Sequence, residues 1–230
     1  MCNLSKLKNL IVLVFLIVLS ANLYSQEEDV EELVIKGKVL QSDQVTALKT
    51  PVPVINVPQT VSIFTDEDIK RQGFRQIVDI VRYTPGVNTS QGEGHRDAVV
   101  FRGVRSTADF FLDGLRDDVQ YYRSLYNVEQ VEILKGPNAL LFGRGGTGGI
   151  INRVTKKPEI GNDFRSVDLG TDTFGAFDLT ADLNIQTSDN SAIRINLHSD
   201  SLANHRDFYD GERFGINPTL RVKLDDVTTL

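Results

Sequence analysis

The stretch "LLFGRGGTGGIINRVTKKP", residues 140–158, contains Gly143, Gly145 and Gly148 at the G-x-G-x-x-G spacing of a dinucleotide-binding turn. Such a turn follows a strand and opens a helix at its third glycine. Here the residues after the glycines are rich in β-branched side chains and end at Pro158, which predicts a strand instead. The glycine spacing therefore gives little support to nucleotide binding.

The residues that flank the glycines argue the same way. Pro137 suits the first position of a helix, so a short helix is predicted before the glycines rather than after them. A phosphate-cradling loop also requires a Lys and a Ser or Thr where Gly149 and Ile150 stand. A secreted nucleotide-binding enzyme remains an alternative that rests on the glycine spacing alone.

The first 25 residues have the layout of a secretory signal peptide. Lys6 and Lys8 precede an unbroken apolar run at residues 10–19, and small and polar residues follow it. The run is shorter than the roughly 20 residues that a membrane-spanning helix needs. We expect export, with cleavage after Ser25; an uncleaved N-terminal anchor is the alternative.

Composition excludes several kinds of site. The only cysteine, Cys2, lies inside the predicted signal, so the mature chain is expected to have neither a disulfide nor a thiolate metal site. The three histidines, His95, His198 and His205, are too scattered to predict a metal site. The net charge of −6 argues against nucleic acid as a partner. We therefore expect no cofactor bound by the protein and no nucleic-acid binding.

The rest of the chain shows two different sequence patterns, one before and one after residue 160. Residues 26–50 are acidic at first and predict a flexible segment, and residues 51–160 predict an α+β domain. In that domain Thr65 is expected to cap a helix that ends at Gly73. A second helix before Pro85 is expected to present one apolar face, made of Phe74, Ile77, Val78 and Val81.

Residues 161–230 alternate apolar and polar side chains in segments near the roughly 9–11 residues of a tilted membrane strand. Short turns such as "TSDN" and "LDDVTT" alternate with the longer "ANHRDFYDGERFG". The hairpins alone fit a soluble β-sandwich equally well, and the export predicted from the signal peptide favours a membrane barrel. A few strands cannot close a barrel, so we expect further strands beyond Leu230. The alternating apolar positions are Phe177, Leu179, Ala181, Leu183, Ile185, Ile193, Ile195, Leu197, Leu220, Val222 and Leu224.

Together these motifs resemble those of the TonB-dependent outer-membrane receptors, and in particular the ferric-siderophore receptors. The matching pieces are "PQTVSIFTDEDIKRQG", "DIVRYTPGV", "VFRGV", "FFLDGLRDD" and "NVEQVEILKGPNALLFGRGGTGGIINRVTKKP". The piece "DDVQYYRSLYNVE" resembles the branch that takes up iron bound to catecholate-type siderophores. The resemblance implies an α+β plug at residues 51–160, inside an antiparallel transmembrane β-barrel of 22 strands that begins within residues 161–230 and is incomplete here.

The resemblance also implies a short segment that pairs with the energy-transducing protein TonB. In the family this TonB box adds a strand to TonB, whose inner-membrane motor proteins supply the energy, while lipid of the outer membrane surrounds the barrel. In this sequence, "LVIKG" departs slightly from the commoner "VVVTA" pattern. The matching residues are Glu31, Glu32, Leu33, Val34, Ile35, Lys36 and Gly37.

The implied cargo is a ferric siderophore, whose own oxygens already bind the iron. The receptor then needs positive and aromatic side chains rather than metal ligands, because a ferric tris-catecholate is an anion with flat rings. Haem and cobalamin are the alternative cargoes within the family. The plug loops expected to contact the ligand contribute Arg96, Arg116, Gln120, Tyr121, Tyr122, Arg123 and Tyr126.

A further set of residues is expected to hold the plug together or against the barrel, through ion pairs or through tight backbone passage. Asp113 and Gly114 form a turn signal, and Asp117 with Asp118 have no base or nucleophile nearby in sequence, so no enzyme activity is expected. The structural set is Arg102, Gly103, Glu129, Glu132, Lys135, Gly136, Pro137, Gly143, Gly145, Gly148 and Gly149.

Overall fold

A computed structural model describes residues 44–46, 52–90, 96–107, 109–138, 142–143, 146–225 and 228–229. The predicted signal peptide, the predicted TonB box at residues 31–37, His95 and Gly145 lie outside these residues. Within the described part of the chain, no helix is long and apolar enough to cross a membrane.

The described elements have at most 8 residues up to residue 155, and the strands after it have 8 to 12 residues. The helices are α1 (Asp66–Gln72) and α2 (Ile77–Val81), with one 3-10 turn at Val54–Asn56. The early strands are β1 (Gln44–Val45), β2 (Val52–Pro53), β3 (Thr60–Thr65), β4 (Val87–Ser90), β5 (Ala98–Phe101), β6 (Val104–Ser106), β7 (Phe110–Leu112), β8 (Leu115–Arg116), β9 (Val128–Lys135) and β10 (Gly149–Thr155). The later strands are β11 (Phe164–Thr171), β12 (Phe177–Ser188), β13 (Ser191–Leu202) and β14 (Gly211–Val222).

The predicted plug is built on a five-stranded mixed sheet with the order β3-β9-β10-β7-β8. Strand β10 runs antiparallel to β9 and parallel to β7, so the glycine-rich stretch leads directly into the middle of the sheet. Gly149, the first residue of β10, stands where a dinucleotide-binding fold needs a helix. The predicted strand after the glycines is confirmed, and the nucleotide-binding interpretation loses its structural basis.

Local chemistry fixes α1 as predicted. The Thr65 hydroxyl accepts a hydrogen bond from the backbone N of Asp68 and the backbone N of Thr65 donates to the Asp68 carboxylate, which makes a capping box, and Gly73 ends the helix in the left-handed conformation at φ 66°. The second helix is shorter than predicted, because α2 begins only at Ile77. Phe74 lies before it, yet its side chain is buried in the same core.

Two apolar clusters fill the plug on opposite faces of the five-stranded sheet. One lies under the helices and includes Ile77, Ile80, Phe101, Phe110 and Ile133, all essentially without exposed surface. The other is smaller and is formed by Val45, Val57, Phe111, Leu134, Phe142 and Ile150. Alternation along β9 and β10 therefore supplies buried apolar side chains to both faces of the sheet.

The strands β11 to β14 form a four-stranded antiparallel sheet, called here the long-strand sheet. Residues 172–176 and 203–210 connect its strands at one end, and a tight turn at residues 189–190 connects them at the other. The longer connection is shorter than predicted, since β14 begins at Gly211 and includes the "ERFG" that the sequence assigns to the loop. Leu224 lies beyond β14, which ends at Val222.

The polarity of the long-strand sheet is inverted relative to a soluble protein. Its polar residues face the plug and are buried, whereas its large apolar residues face outward and are exposed, as in a sheet whose outer face contacts lipid. This arrangement favours the membrane barrel over the soluble sandwich. The buried polar residues are Asp182, Asn184, Arg194, Asn196, His198 and Asp200, and the exposed apolar residues include Val167, Leu169, Phe177, Leu179, Ile185, Phe214, Ile216 and Leu220.

Candidate functional site

Residues 117–123, called here the ligand-side loop, are folded around one arginine. The Arg123 side chain has no exposed surface. Its Nη2 donates hydrogen bonds to the carbonyl oxygens of Asp117 at 2.8 Å and Val119 at 2.6 Å, and its Nη1 donates to that of Tyr121 at 3.2 Å. Because these carbonyls belong to the loop itself, the guanidinium sets the shape of the loop.

The same arginine rests on aromatic and acidic neighbours. Its guanidinium carbon lies 3.8 Å from the centre of the Phe110 ring and 4.5 Å from that of Tyr121. Its backbone N donates to the carboxylate of Asp97 at 2.9 Å. Burial lowers the pKa of the Arg123 guanidinium and raises the pKa of the Asp97 carboxyl, because both charges are removed from water. The sequence predicts Arg123 as a ligand contact, whereas its buried position makes it an organiser of the loop.

Asp117 ties the loop to the central sheet. Its Oδ2 accepts hydrogen bonds from Arg123 Nε at 3.2 Å and from the Tyr121 hydroxyl at 2.7 Å, and it also pairs with Arg153 of β10. Arg153 Nη2 donates in turn to the Tyr121 hydroxyl at 3.0 Å. Tyr121 thus covers two guanidiniums while 38% of its own surface stays exposed.

Several predicted ligand residues come together beside this loop. Arg96 donates to the side chain of the exposed Gln120, and the backbone N of Asp97 donates to the Tyr121 carbonyl at 3.2 Å. Tyr122 contacts Tyr209, which lies in the connection between β13 and β14. Burial is the larger cause and the neighbouring Tyr209 the next of a pKa of Tyr122 raised to about 12. These contacts place the loop at the same end of the long-strand sheet as its longer connections.

Two predicted ligand residues lie elsewhere. Arg116 donates to the carbonyl of Phe142 at 2.6 Å, and its guanidinium carbon lies 5.4 Å from the centre of the Phe111 ring. Tyr126 stacks on His198 of β13, with ring centres 5.2 Å apart. A Cβ at Gly215 in β14 would lie 2.8 Å from the Tyr126 ring, so this tyrosine is packed against the middle of the long-strand sheet.

Buried charges join the plug to the long-strand sheet. Lys156 lies 3.1 Å from Asp66 of α1 and 3.0 Å from Asp182 of β12. Arg194 of β13 donates two hydrogen bonds of 2.8 Å to the same Asp182 and lies 3.6 Å from Glu129 of the plug. A cavity of about 400 Å³ also lies between α1 and strands β11 to β13. The sequence singles out Glu129 but misses the other four charges, of which only Asp182 and Arg194 lie on strands whose alternation groups them on one face.

The remaining predicted structural residues occupy turns and the sheet. Glu132 has no exposed surface and accepts hydrogen bonds from Thr46 and Asn152. Lys135 donates to the carbonyl of Pro85 at 3.4 Å. Five of these predicted residues have positive φ: Arg102 at 47°, Gly103 at 90°, Gly136 at 127°, Gly143 at 72° and Gly149 at 156°. Across the described ranges, no group of three or more His, Cys, Asp or Glu is arranged to hold a metal ion.

Comparisons with known proteins agree with this arrangement. The TonB-dependent receptor plug domain family matches residues 53–150. The probable TonB-dependent receptor BfrD of Bordetella pertussis (strain Tohama I) is 35% identical over 193 residues, which cover 82% of this chain and 26% of that protein. The catecholate siderophore receptor Fiu of Escherichia coli (strain K12) is 31% identical over 186 residues, which cover 77% of this chain and 24% of that protein.

The fold is shared with solved receptors. The crystal structure of the siderophore receptor PiuA from Acinetobacter baumannii superimposes with a TM-score of 0.74 at 26% identity, covering 81% of this chain and 27% of that one. The chain spans about a quarter of the length of the relatives it matches. These relatives are receptors and not enzymes. With a plug domain at residues 53–150 and barrel strands after it, the chain belongs to the TonB-dependent receptor family.

Proposed function

We propose that the protein containing this chain is an outer-membrane receptor that binds a ferric siderophore and imports it with energy transduced by TonB. The observation that carries the proposal is the polar and aromatic surface formed by Arg96 together with Gln120, Tyr121 and Tyr122 of the ligand-side loop. It lies beside the longer connections of the long-strand sheet, where a ligand from outside would arrive.

The chemistry of this surface suits a catecholate complex. The rings of Tyr121 and Tyr122 offer flat aromatic faces to the catechol rings. Arg96 adds a planar cation that can donate to the anionic oxygens around the iron. Iron travels as cargo inside its chelator, so the receptor itself holds no cofactor. The name of the relative Fiu, a catecholate siderophore receptor, supports this cargo class.

The proposed energy source acts from the other side of the membrane. Residues 31–37 would pair with TonB as an added strand, and the motor proteins of the inner membrane would supply the work. The outward apolar face of the long-strand sheet supports a site in lipid, and the predicted signal peptide supports export to the outer membrane. Binding then needs only the folded receptor, whereas release inward needs TonB.

Deletion of residues 31–37 in the full-length receptor tests this division of labour. Binding of a ferric catecholate at the cell surface should be unchanged, and uptake of its iron should be lost. Replacement of the neighbouring residues 26–30 by Gly and Ser is the matched control and should leave both intact. Uptake that survives the deletion of residues 31–37 would contradict TonB-driven import.

A further inference from the structure

The carboxyl group of Asp97 is buried behind the ligand-side loop. Asp97 is only 1% exposed. Its Oδ2 accepts a hydrogen bond from the backbone N of Arg123 at 2.9 Å, whereas its Oδ1 has no hydrogen-bond partner in the described part of the chain. Buried polar atoms are rarely left without partners, because each one costs free energy relative to its hydrated state. The charged form of this carboxylate is therefore poorly satisfied.

The charges around Asp97 only partly compensate for its burial. Burial is the largest influence and raises the pKa of the Asp97 carboxyl. Arg123 of the ligand-side loop and Arg153 of β10 act to lower that pKa, and Asp79 of α2 acts to raise it. The phenol of Tyr122 also lies within reach of the Asp97 charge. A further negative charge near this carboxyl would disfavour its charged form again.

Asp117 is the other carboxylate of this cluster, and more donors satisfy it. Its Oδ2 accepts from Arg123 Nε at 3.2 Å and from the Tyr121 hydroxyl at 2.7 Å, and it pairs with Arg153. Among the described residues, the Asp97 carboxylate accepts from the backbone N of Arg123 alone. Protonation of Asp97 therefore disturbs fewer hydrogen bonds than protonation of Asp117 does.

Asp97 also adjoins the surface proposed to bind the ligand. It follows Arg96 directly in sequence, and its backbone N donates to the Tyr121 carbonyl at 3.2 Å. Arg96 in turn donates to Gln120. An anionic complex seated on these residues would bring several negative charges to within roughly 10 Å of the buried carboxylate, a separation at which like charges still repel. A bound ligand also displaces the water that would screen this repulsion.

We propose that Asp97 takes up a proton from solvent when an anionic ferric complex binds, so that Asp97 sets how strongly the receptor responds to the charge of its ligand. The proposal rests on the proposed function, which places an anion on the ligand-side loop. Oδ1 receives the proton, because Oδ2 keeps the hydrogen bond from Arg123. The neutral carboxyl then preserves the shape of the loop and removes one negative charge from behind the ligand.

Linkage gives the direction of the pH dependence. The bound anion disfavours the charged form of Asp97, so the complex binds this proton more tightly than the free receptor does. The affinity for the anion should therefore rise as pH falls through the pKa of Asp97 in the complex. It should level off once pH is below the pKa of Asp97 in the free receptor.

Asp97→Asn in the full-length receptor tests this role. The probe is a chromium(III) tris-catecholate, which carries the charge of the ferric complex and is inert enough to survive acidification. Asparagine keeps an acceptor for the backbone N of Arg123 and stays neutral at every pH. At the alkaline end of the titration the variant should bind the probe severalfold to about tenfold tighter than the parent, as expected for charges roughly 10 Å apart. This difference should shrink as pH falls.

Two matched controls separate Asp97 from other titratable groups. Glu67→Gln removes an exposed carboxylate on α1 and should leave the affinity of the parent unchanged at every pH. His205 lies in the connection between β13 and β14, where a histidine could also take up a proton. Asp97→Asn should have the same effect in the parent and in a receptor that carries His205→Gln.

Calorimetry in buffers of different ionisation enthalpy counts the protons directly. Over the pH range in which the affinity difference shrinks, the parent should take up more protons per bound probe than Asp97→Asn does. Equal uptake, an affinity ratio that is constant with pH, or weaker binding in Asp97→Asn would overturn the role of Asp97. A parent that does not bind the probe contradicts the proposed cargo as well, whereas binding without the extra proton contradicts the role of Asp97 alone.

Discussion

Lys156 Nζ lies 3.0 Å from Asp182 Oδ2, so a buried ammonium of the plug is paired with a carboxylate on the inner face of the long-strand sheet. Arg194 donates two hydrogen bonds to the same carboxylate, and Asp66 of α1 pairs with Lys156 from the plug side. Buried charges are tolerated only when they are paired. When this contact opens, it exposes groups that water solvates well, rather than apolar surface.

Lys156→Met should loosen the contact between α1 and the long-strand sheet. Asp66 and Asp182 keep Lys70 and Arg194 as partners, so we expect a loss of about 1–3 kcal/mol in the free energy of opening. Hydrogen exchange of residues 66–72 in the full-length receptor measures it. Lys70→Met is the control: its side chain is 40% exposed, so its loss should cost no more than about 0.5 kcal/mol. Equal effects of the two changes would show that the Lys156 pair does not hold the plug.

Arg123→Lys should weaken ligand binding although Arg123 is not itself exposed. A lysine keeps the charge but cannot donate at once to the carbonyls of Asp117, Val119 and Tyr121, so the ligand-side loop loses its shape. We expect the affinity for a ferric catecholate to fall by at least about tenfold, which is the effect of losing roughly 1.4 kcal/mol. Arg105→Lys on β6 is exposed and should bind as the parent does. Unchanged affinity in Arg123→Lys would show that ligand binding does not depend on the shape of the ligand-side loop.

Gly148→Ala should destabilise the plug by steric conflict alone. A Cβ at this position would lie 2.6 Å from the Cβ of Phe101, which is buried in the main cluster. Overpacking of this kind costs about 1–3 kcal/mol, which a urea midpoint of the plug would report. At Gly211 the nearest atom is 3.5 Å from an added Cβ, so Gly211→Ala should change the midpoint little. Similar midpoints for both variants would contradict close packing at the glycine-rich turn.

Asp97→Asn should change how the stability of the plug depends on pH. Burial raises the pKa of Asp97, against the opposing hydrogen bond from Arg123, so the folded plug binds this proton more tightly than the unfolded chain does. Stability should therefore fall as pH rises from the unfolded pKa of about 3.9 to the raised folded pKa. Asp97→Asn lacks this titration and should gain stability relative to the parent over that interval. A stability difference that is constant with pH would contradict the raised pKa.

Local signals predicted much of the fold. Thr65 and Gly73 bound α1 as expected, because capping and left-handed glycine act over a few residues. Asp113 and Gly114 both have positive φ and form the predicted turn. The alternation in β12 and β13 predicted which residues share a face, but not which face is buried.

Contacts between distant segments were not predictable in the same way. Pairing of Lys156 with Asp182 depends on where the plug sits against β12, which no local pattern encodes. Glu132 was assigned a structural role, whereas its partners Thr46 and Asn152 depend on the registers of β9 and β10. Arg123 is buried because the loop folds around it. An arginine suits an anionic ligand, but this one donates its hydrogen bonds to carbonyl groups of the loop itself.

Equilibrium binding to the full-length receptor, with ferric tris-catecholate, ferric hydroxamate and cobalamin compared in competition, tests the proposed function most directly. We predict that the catecholate complex binds tightest. Tyr122→Ala should weaken it by at least about tenfold, the loss of roughly 1.4 kcal/mol, whereas Tyr83→Ala, at a tyrosine that is 65% exposed elsewhere on the plug, should not. Tighter binding of either other ligand, or equal catecholate affinity in Tyr122→Ala and the parent, would contradict the proposal.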